Sequence, residues 1–104
     1  MSFLRKLFGL APAADFKALA QEGAIILDVR TKAEFQGGHI KNAMNIPVGS
    51  LTSNLSKLKN IDKPIITCCA SGMRSGSAKS ILKSNGYEKV YNGGAWTSLN
   101  SKIA

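Results

Sequence analysis

Pro64-Ile65-Ile66-Thr67-Cys68-Cys69-Ala70-Ser71-Gly72-Met73-Arg74-Ser75 passes from an apolar, β-branched run through small residues into a helical pattern. Pro64 bounds the run at its start, and Ile65 to Thr67 have the composition of a strand. Strand alternation counted from Pro64 makes Cys68 the last strand residue. From Ser75 to Asn85 the period becomes helical, with Ala78, Ile81 and Leu82 on the inward side and Lys79 and Lys83 outward. Gly86 supplies the stop. The unit is therefore a strand, a loop of small residues and a helix.

The same alternation extends in both directions. Asp15 is placed to cap a short helix through Phe16, Leu19 and Ala20, which Gly23 ends. Ala24 to Leu27 is a continuous apolar run, the mark of a strand buried on both faces. Thr31 is placed to cap a turn of helix through Phe35, stopped by Gly37 and Gly38. Ala43 to Ile46 reads as a brief strand ended by Pro47. Leu51, Leu55 and Leu58 are spaced for one face of a helix, with Lys57 and Lys59 outside. Val90-Tyr91 reads as a last strand, and Trp96 with Leu99 suggests a closing helix. Strands alternating with helices predict an α/β fold, a small, mostly parallel sheet with helices on both faces. Sites in such sheets lie beyond the carboxyl ends of the strands, where the Cys–Arg loop falls.

Composition narrows the class of protein. The 104 residues, 44% hydrophobic, suffice for one core without disulfides or a metal. No apolar run reaches the roughly 20 residues of a membrane-spanning helix. The adjacent pair Cys68 and Cys69, with His39 the one histidine, argues against a secreted disulfide scaffold and against a tetrahedral zinc site. Fourteen Lys and Arg against six Asp and Glu give a net charge of +8, a field that attracts anions. The lysines are scattered and no nucleic-acid recognition pattern accompanies them, so no nucleic acid is expected as a partner. Residues 1–14 read as an N-terminal extension and 15–104 as the domain. In the extension Phe3, Leu4, Leu7 and Phe8 would share one side of a helix opposite Arg5 and Lys6, a face suited to a membrane surface or to the domain itself. Leu7 to Leu10 with Ala11-Pro12-Ala13 imitates a signal peptide but is shorter than the usual 15–30 residues or so, and the expected location is cytoplasmic.

The loop carries the chemistry. Small residues let successive N–H groups turn toward one point, a nest backed by the start of the following helix, and such a nest binds anions. A cysteine at its base has its thiolate favoured and its pKa held below the ordinary value of about 8.5. Arg74 adds a permanent charge and a bidentate donor fork. The residues describe a nucleophilic thiolate in an anion cradle.

This sequence resembles the rhodanese family over most of its length. The family's loop often runs Cys-x-x-Gly-x-Arg-Ser, matched by Cys69, Gly72, Arg74 and Ser75. Upstream stand Asp28-Val29-Arg30, Glu34-Phe35, Gly38-His39-Ile40, Ala43 and Asn45-Ile46-Pro47, in the family's order. Downstream, Gly93-Gly94 precedes Trp96, which stands closer to the Gly pair than is usual. The resemblance implies a rhodanese-like fold and a thiosulfate sulfurtransferase that needs no cofactor and no metal. Cys69 would take a sulfane sulfur from a small anionic donor, thiosulfate or a persulfide, and pass it as a persulfide to cyanide, a thiol or a sulfur-relay protein partner. Ala70, Ser71, Gly72, Met73, Arg74 and Ser75 would form the substrate-binding loop, with inward N–H groups on the anionic sulfur. Asp28, Arg30 and His39 are supporting candidates. Asp28 and Arg30 either pair beyond the strand or place Arg30 at the loop mouth. His39 is either a structural hydrogen-bonding residue or a proton relay.

Two other classes compete. Counted from Cys68, the spacing Cys-x5-Arg74-Ser75 is that of tyrosine phosphatases and arsenate reductases. Gly72 falls at the rhodanese glycine position only when Cys69 is the nucleophile, and residue 67 is threonine where such phosphatases usually carry histidine. Cys68 is then an apolar filler or a thiol that resolves oxidised Cys69. A non-catalytic rhodanese-fold binding module is the third class, though it has no need of the thiolate.

Overall fold

The structure, a computed structural model, describes residues 14–58 and 62–104. The expected amphipathic extension, apart from Ala14, and Lys59 lie outside the described residues. Helix α1 (Phe16–Gln21) starts where Asp15 accepts the Ala18 N–H at 3.0 Å. Strand β1 (Ile25–Asp28) leads to α2 (Lys32–Gln36), which opens on a reciprocal capping box between Thr31 and Glu34. After β2 (Met44–Asn45) come two 3₁₀ segments, Val48–Ser50 and Thr52–Lys57. Then follow β3 (Ile65–Cys69), α3 (Met73–Ser84), β4 (Val90–Ala95) and α4 (Trp96–Ile103).

The four strands form one sheet, ordered β2-β1-β3-β4, and every pairing is parallel. Side chains that alternate along the strands feed two cores. On one face Leu27, Ile65, Cys69 and Val90 pack with Ala78 and Leu82 of α3 and with Leu51 and Leu58. On the other, Ile66 and Cys68 pack with Leu99, and Phe16, Leu19, Trp96 and Ile103 close over them. The sheet is thus covered on both faces, and its central strands β1 and β3 are the continuous apolar runs.

Three expectations are corrected. Leu51, Leu55 and Leu58 do face inward, but on 3₁₀ turns and not on an α-helix. Asn54 breaks the helical geometry at φ −123°, and its side-chain amide donates to the Ser50 carbonyl. Strand β3 does not end at Cys68 but includes Cys69, which pairs with Ala95 past a bulge. Strand β4 runs well beyond Tyr91, through Gly93 and Gly94, because glycine lets two layers meet there. A Cβ on Gly93 would lie 2.8 Å from the Thr67 carbonyl oxygen and 2.9 Å from both Ile66 Cγ2 and Leu99 Cδ2. Gly93→Ala therefore costs at least about 3 kcal/mol, the upper part of the range for overpacked cores. Chemical denaturation reads this as a lowered midpoint at unchanged slope.

Candidate active site

Strand β3 delivers Cys69 to the carboxyl end of the sheet, and α3 begins four residues later. Between them the chain turns at Gly72, whose φ of 106° is strained for any residue with a Cβ. That turn aims the Gly72 N–H at Cys69 Sγ, 2.9 Å away. The Ser75 hydroxyl lies 3.6 Å from the same sulfur. Burial pushes the Cys69 thiol up, but the Ser75 hydroxyl and the backbone N–H groups of Ser75, Gly72 and Ser71 outweigh it, and the net shift is downward. Three backbone N–H groups and one hydroxyl thus converge on one sulfur, in front of a twelve-residue helix whose N-terminus favours negative charge. Cys69 itself is closed off from solvent, whereas Met73 on the rim is 83% exposed.

Cys68, one residue earlier, belongs to the opposite face and core. Burial, then the nearby Asp28 carboxylate, pushes its thiol up to about 12. Its sulfur cannot meet Cys69 Sγ while β3 stays paired, so a resolving role for Cys68 does not fit this fold. Cys68→Ala should leave the chemistry of Cys69 within about twofold while costing about 1–2 kcal/mol of stability for the lost packing. Loss of turnover in this variant, with folding intact, would move the nucleophile by one residue.

Both arginines near the loop are held by carboxylates. Arg74 forms a fork with Glu34, at 2.7 and 3.0 Å, with both side chains about a third exposed. The bond to Arg74 and the Thr31 backbone together hold the Glu34 carboxyl down at about 2. Since Glu34 also completes the α2 capping box, one side chain ties α2 to the loop. Arg30 is buried against Asp28 at 2.7 Å, donates to the carbonyls of Glu34 and Gly38, and stacks 4.8 Å over Trp96. Asp28 and Arg30 are therefore a buried pair beyond β1, the first of the two arrangements expected for them. Asn45 reinforces the same turn through the carbonyls of Asp28 and Arg30. His39 is exposed, stacked on Phe35 at 3.7 Å with Nδ1 2.7 Å from the Phe35 carbonyl oxygen, an arrangement that braces the turn after α2.

Two residues of the site were absent from the expected set. Glu34 carried a sequence signal as the third residue after a capping threonine, but nothing local linked it to Arg74. Asn92 carried none: its side-chain oxygen accepts from the Gly94 N–H at 2.9 Å and lies 2.6 Å from Ser75 Oγ. Among the described residues, no group of three or more His, Cys, Asp or Glu side chains is arranged to hold a metal.

A strand-to-helix loop of this build, on an all-parallel sheet covered on both faces, defines a class: α/β domains that seat a cysteine thiolate in a cradle of backbone N–H groups. The rhodanese-like domain family model matches residues 12–97, and the chain belongs to that family. It is 41% identical over 69 residues to the uncharacterized protein YqhL of Bacillus subtilis, 66% of this chain and 54% of that protein. To the thiosulfate sulfurtransferase GlpE of Pseudomonas savastanoi it is 32% identical over 84 residues, 81% of this chain and 78% of the relative. A tRNA uridine(34) hydroxylase of Salmonella heidelberg shares 33% identity over 76% of this chain and 24% of its own length. The chain thus spans about half of YqhL and a quarter of the hydroxylase. Among solved structures, a rhodanese with anions from E. coli superposes with a TM-score of 0.69 at 28% identity, over 73% of this chain and 91% of that one. The family is of sulfurtransferase type. No helix among the described residues is long and apolar enough to cross a membrane.

Proposed function

We propose that this chain is a sulfurtransferase working through a persulfide on Cys69. One observation carries the reading: Cys69 Sγ sits at the focus of the loop, 2.9 Å from the Gly72 N–H and within reach of the Ser75 hydroxyl, on the side of the sheet away from Cys68. The Cys69 thiolate attacks the outer sulfur of thiosulfate, the S–S bond breaks, and sulfite leaves with the bonding pair. With a persulfide donor the leaving group is a thiolate. The anionic terminal sulfur of the new persulfide is received by the loop N–H groups. Cyanide or an acceptor thiolate then attacks that sulfur, leaves as thiocyanate or as a persulfide, and returns Cys69 to the thiolate. A sulfur-relay protein serves as acceptor on the same terms, in the cytoplasm.

The enclosure of Cys69 gives the loop a second task, since a donor reaches the sulfur only as residues 70–74 part. Arg74, engaged by Glu34, acts in this reading as the tether of the loop, and the N–H groups do the anion binding. The phosphatase register is not favoured, because it asks for ionisation of a thiol that burial pushes up to about 12 on the other face of the sheet. The test is intact mass after incubation with thiosulfate and, separately, with glutathione persulfide. A gain of one sulfur (~32 Da) that cyanide removes is expected of a persulfide intermediate. No adduct with either donor would sink the proposal.

A further inference from the structure

We propose that Asn92 is a positioning residue for Cys69: its side-chain carbonyl competes with the Cys69 sulfur for the single proton of the Ser75 hydroxyl, and so sets how readily the thiolate forms. The roles of the atoms follow from their partners. The Gly94 N–H donates to one atom of the Asn92 amide, which makes that atom the oxygen. Ser75 Oγ lies 2.6 Å from this oxygen, 2.9 Å from the Gly72 carbonyl and 3.6 Å from Cys69 Sγ. A hydroxyl has one proton to give, and here it faces two oxygens and a sulfur. Ser75 is fully buried and its carbonyl is held by the Thr67 hydroxyl at 2.9 Å, so its oxygen stays in place while the proton turns.

With Cys69 protonated, the thiol donates to Ser75 Oγ and the Ser75 proton goes to Asn92, the nearest acceptor. When the thiol ionises, the Ser75 proton must turn to the sulfur. That rotation strands no acceptor. Asn92 keeps the Gly94 N–H, and the Gly72 carbonyl keeps the Gly76 N–H at 3.1 Å. The cost of ionisation therefore includes the short bond to Asn92, and removing Asn92 removes that competitor. The charged and titratable groups around Cys69 are Asp28 and Arg30 at the end of β1, Glu34 on α2, Cys68 on β3 and Arg74 on α3. A change at Asn92, itself uncharged and exposed on β4, leaves each of them in place.

The inference rests on Cys69 being the reacting thiol, but alkylation reads its ionisation without any sulfur donor, so its failure and that of sulfur transfer are separate results. The rate of iodoacetamide alkylation is followed against pH in the full chain carrying Cys68→Ala, with Asn92→Ala, Ser75→Ala and both. Asn92→Ala is expected to lower the midpoint by roughly half to one pH unit, the size of one hydrogen bond to the charged form. Below the midpoint, alkylation then runs about three- to tenfold faster. Ser75→Ala raises the midpoint, and in that background Asn92→Ala adds no further shift. A side chain that merely braces Ser75 would do the reverse. An unchanged or raised midpoint in Asn92→Ala, or an equal shift with and without Ser75, overturns the proposal.

Discussion

Cys69→Ser is expected to retain the fold and to take sulfur transfer down to the uncatalysed level. Oxygen replaces sulfur in a site where the side chain is fully enclosed and accepts the Gly72 N–H, so the packing change is small. A serine hydroxyl, however, does not ionise near neutrality and is a weak nucleophile without an activating base. The check is the mass experiment, run beside thermal unfolding of the same variant. Loss of the sulfur adduct with an unchanged Tm is the expected pair of results. An adduct that persists in Cys69→Ser would overturn the assignment of the nucleophile.

Asp28→Ala should be the most damaging substitution to the fold itself. Asp28 is fully buried, and its carboxylate receives the Arg30 side chain at 2.7–3.1 Å as well as the Arg30 backbone N–H at 3.0 Å. Truncation leaves a guanidinium enclosed against Trp96 with only the carbonyls of Glu34 and Gly38 for partners. Stranding one member of a buried pair costs about 3–5 kcal/mol. For a domain stabilised by roughly 5–15 kcal/mol that is a large fraction. Calorimetry should show a Tm lowered by more than about 10 °C. A loss under about 1 kcal/mol would mean that Arg30 finds water once its partner is gone, and that the turn beyond β1 is looser than the structure shows.

Much of the architecture was legible because its signals are local. The apolar runs at Ile25 and Ile65, the caps at Asp15 and Thr31, and the glycine stops each depend on a few neighbouring residues. The same locality explains the misreadings. Leucines at 51, 55 and 58 satisfy the spacing of an α-helix and of successive 3₁₀ turns alike, and the choice was made by Asn54, whose side chain bonds back to Ser50. The extension of β4 through Gly93 was hidden because glycine, with no side chain to pack, carries no strand signal of its own. There the decisive fact is the closeness of Thr67, Ile66 and Leu99, all remote in sequence.

The site divides along the same line. A thiol followed by small residues, a glycine and an arginine at the end of a buried strand is enough, by backbone chemistry alone, to place a sulfur in a nest of N–H groups that favour its charged form. Which charges stay free around it is not written in that stretch. Glu34 reaches Arg74 across 40 residues and Asn92 reaches Ser75 across 17, and both contacts exist because parallel strands set the ends of β1, β3 and β4 side by side. Local sequence determined the cysteine-bearing loop and its inward N–H groups, whereas the order of strands decided the charged and hydrogen-bonded surroundings of that loop, since those interactions act across space and only the sheet brings their partners together.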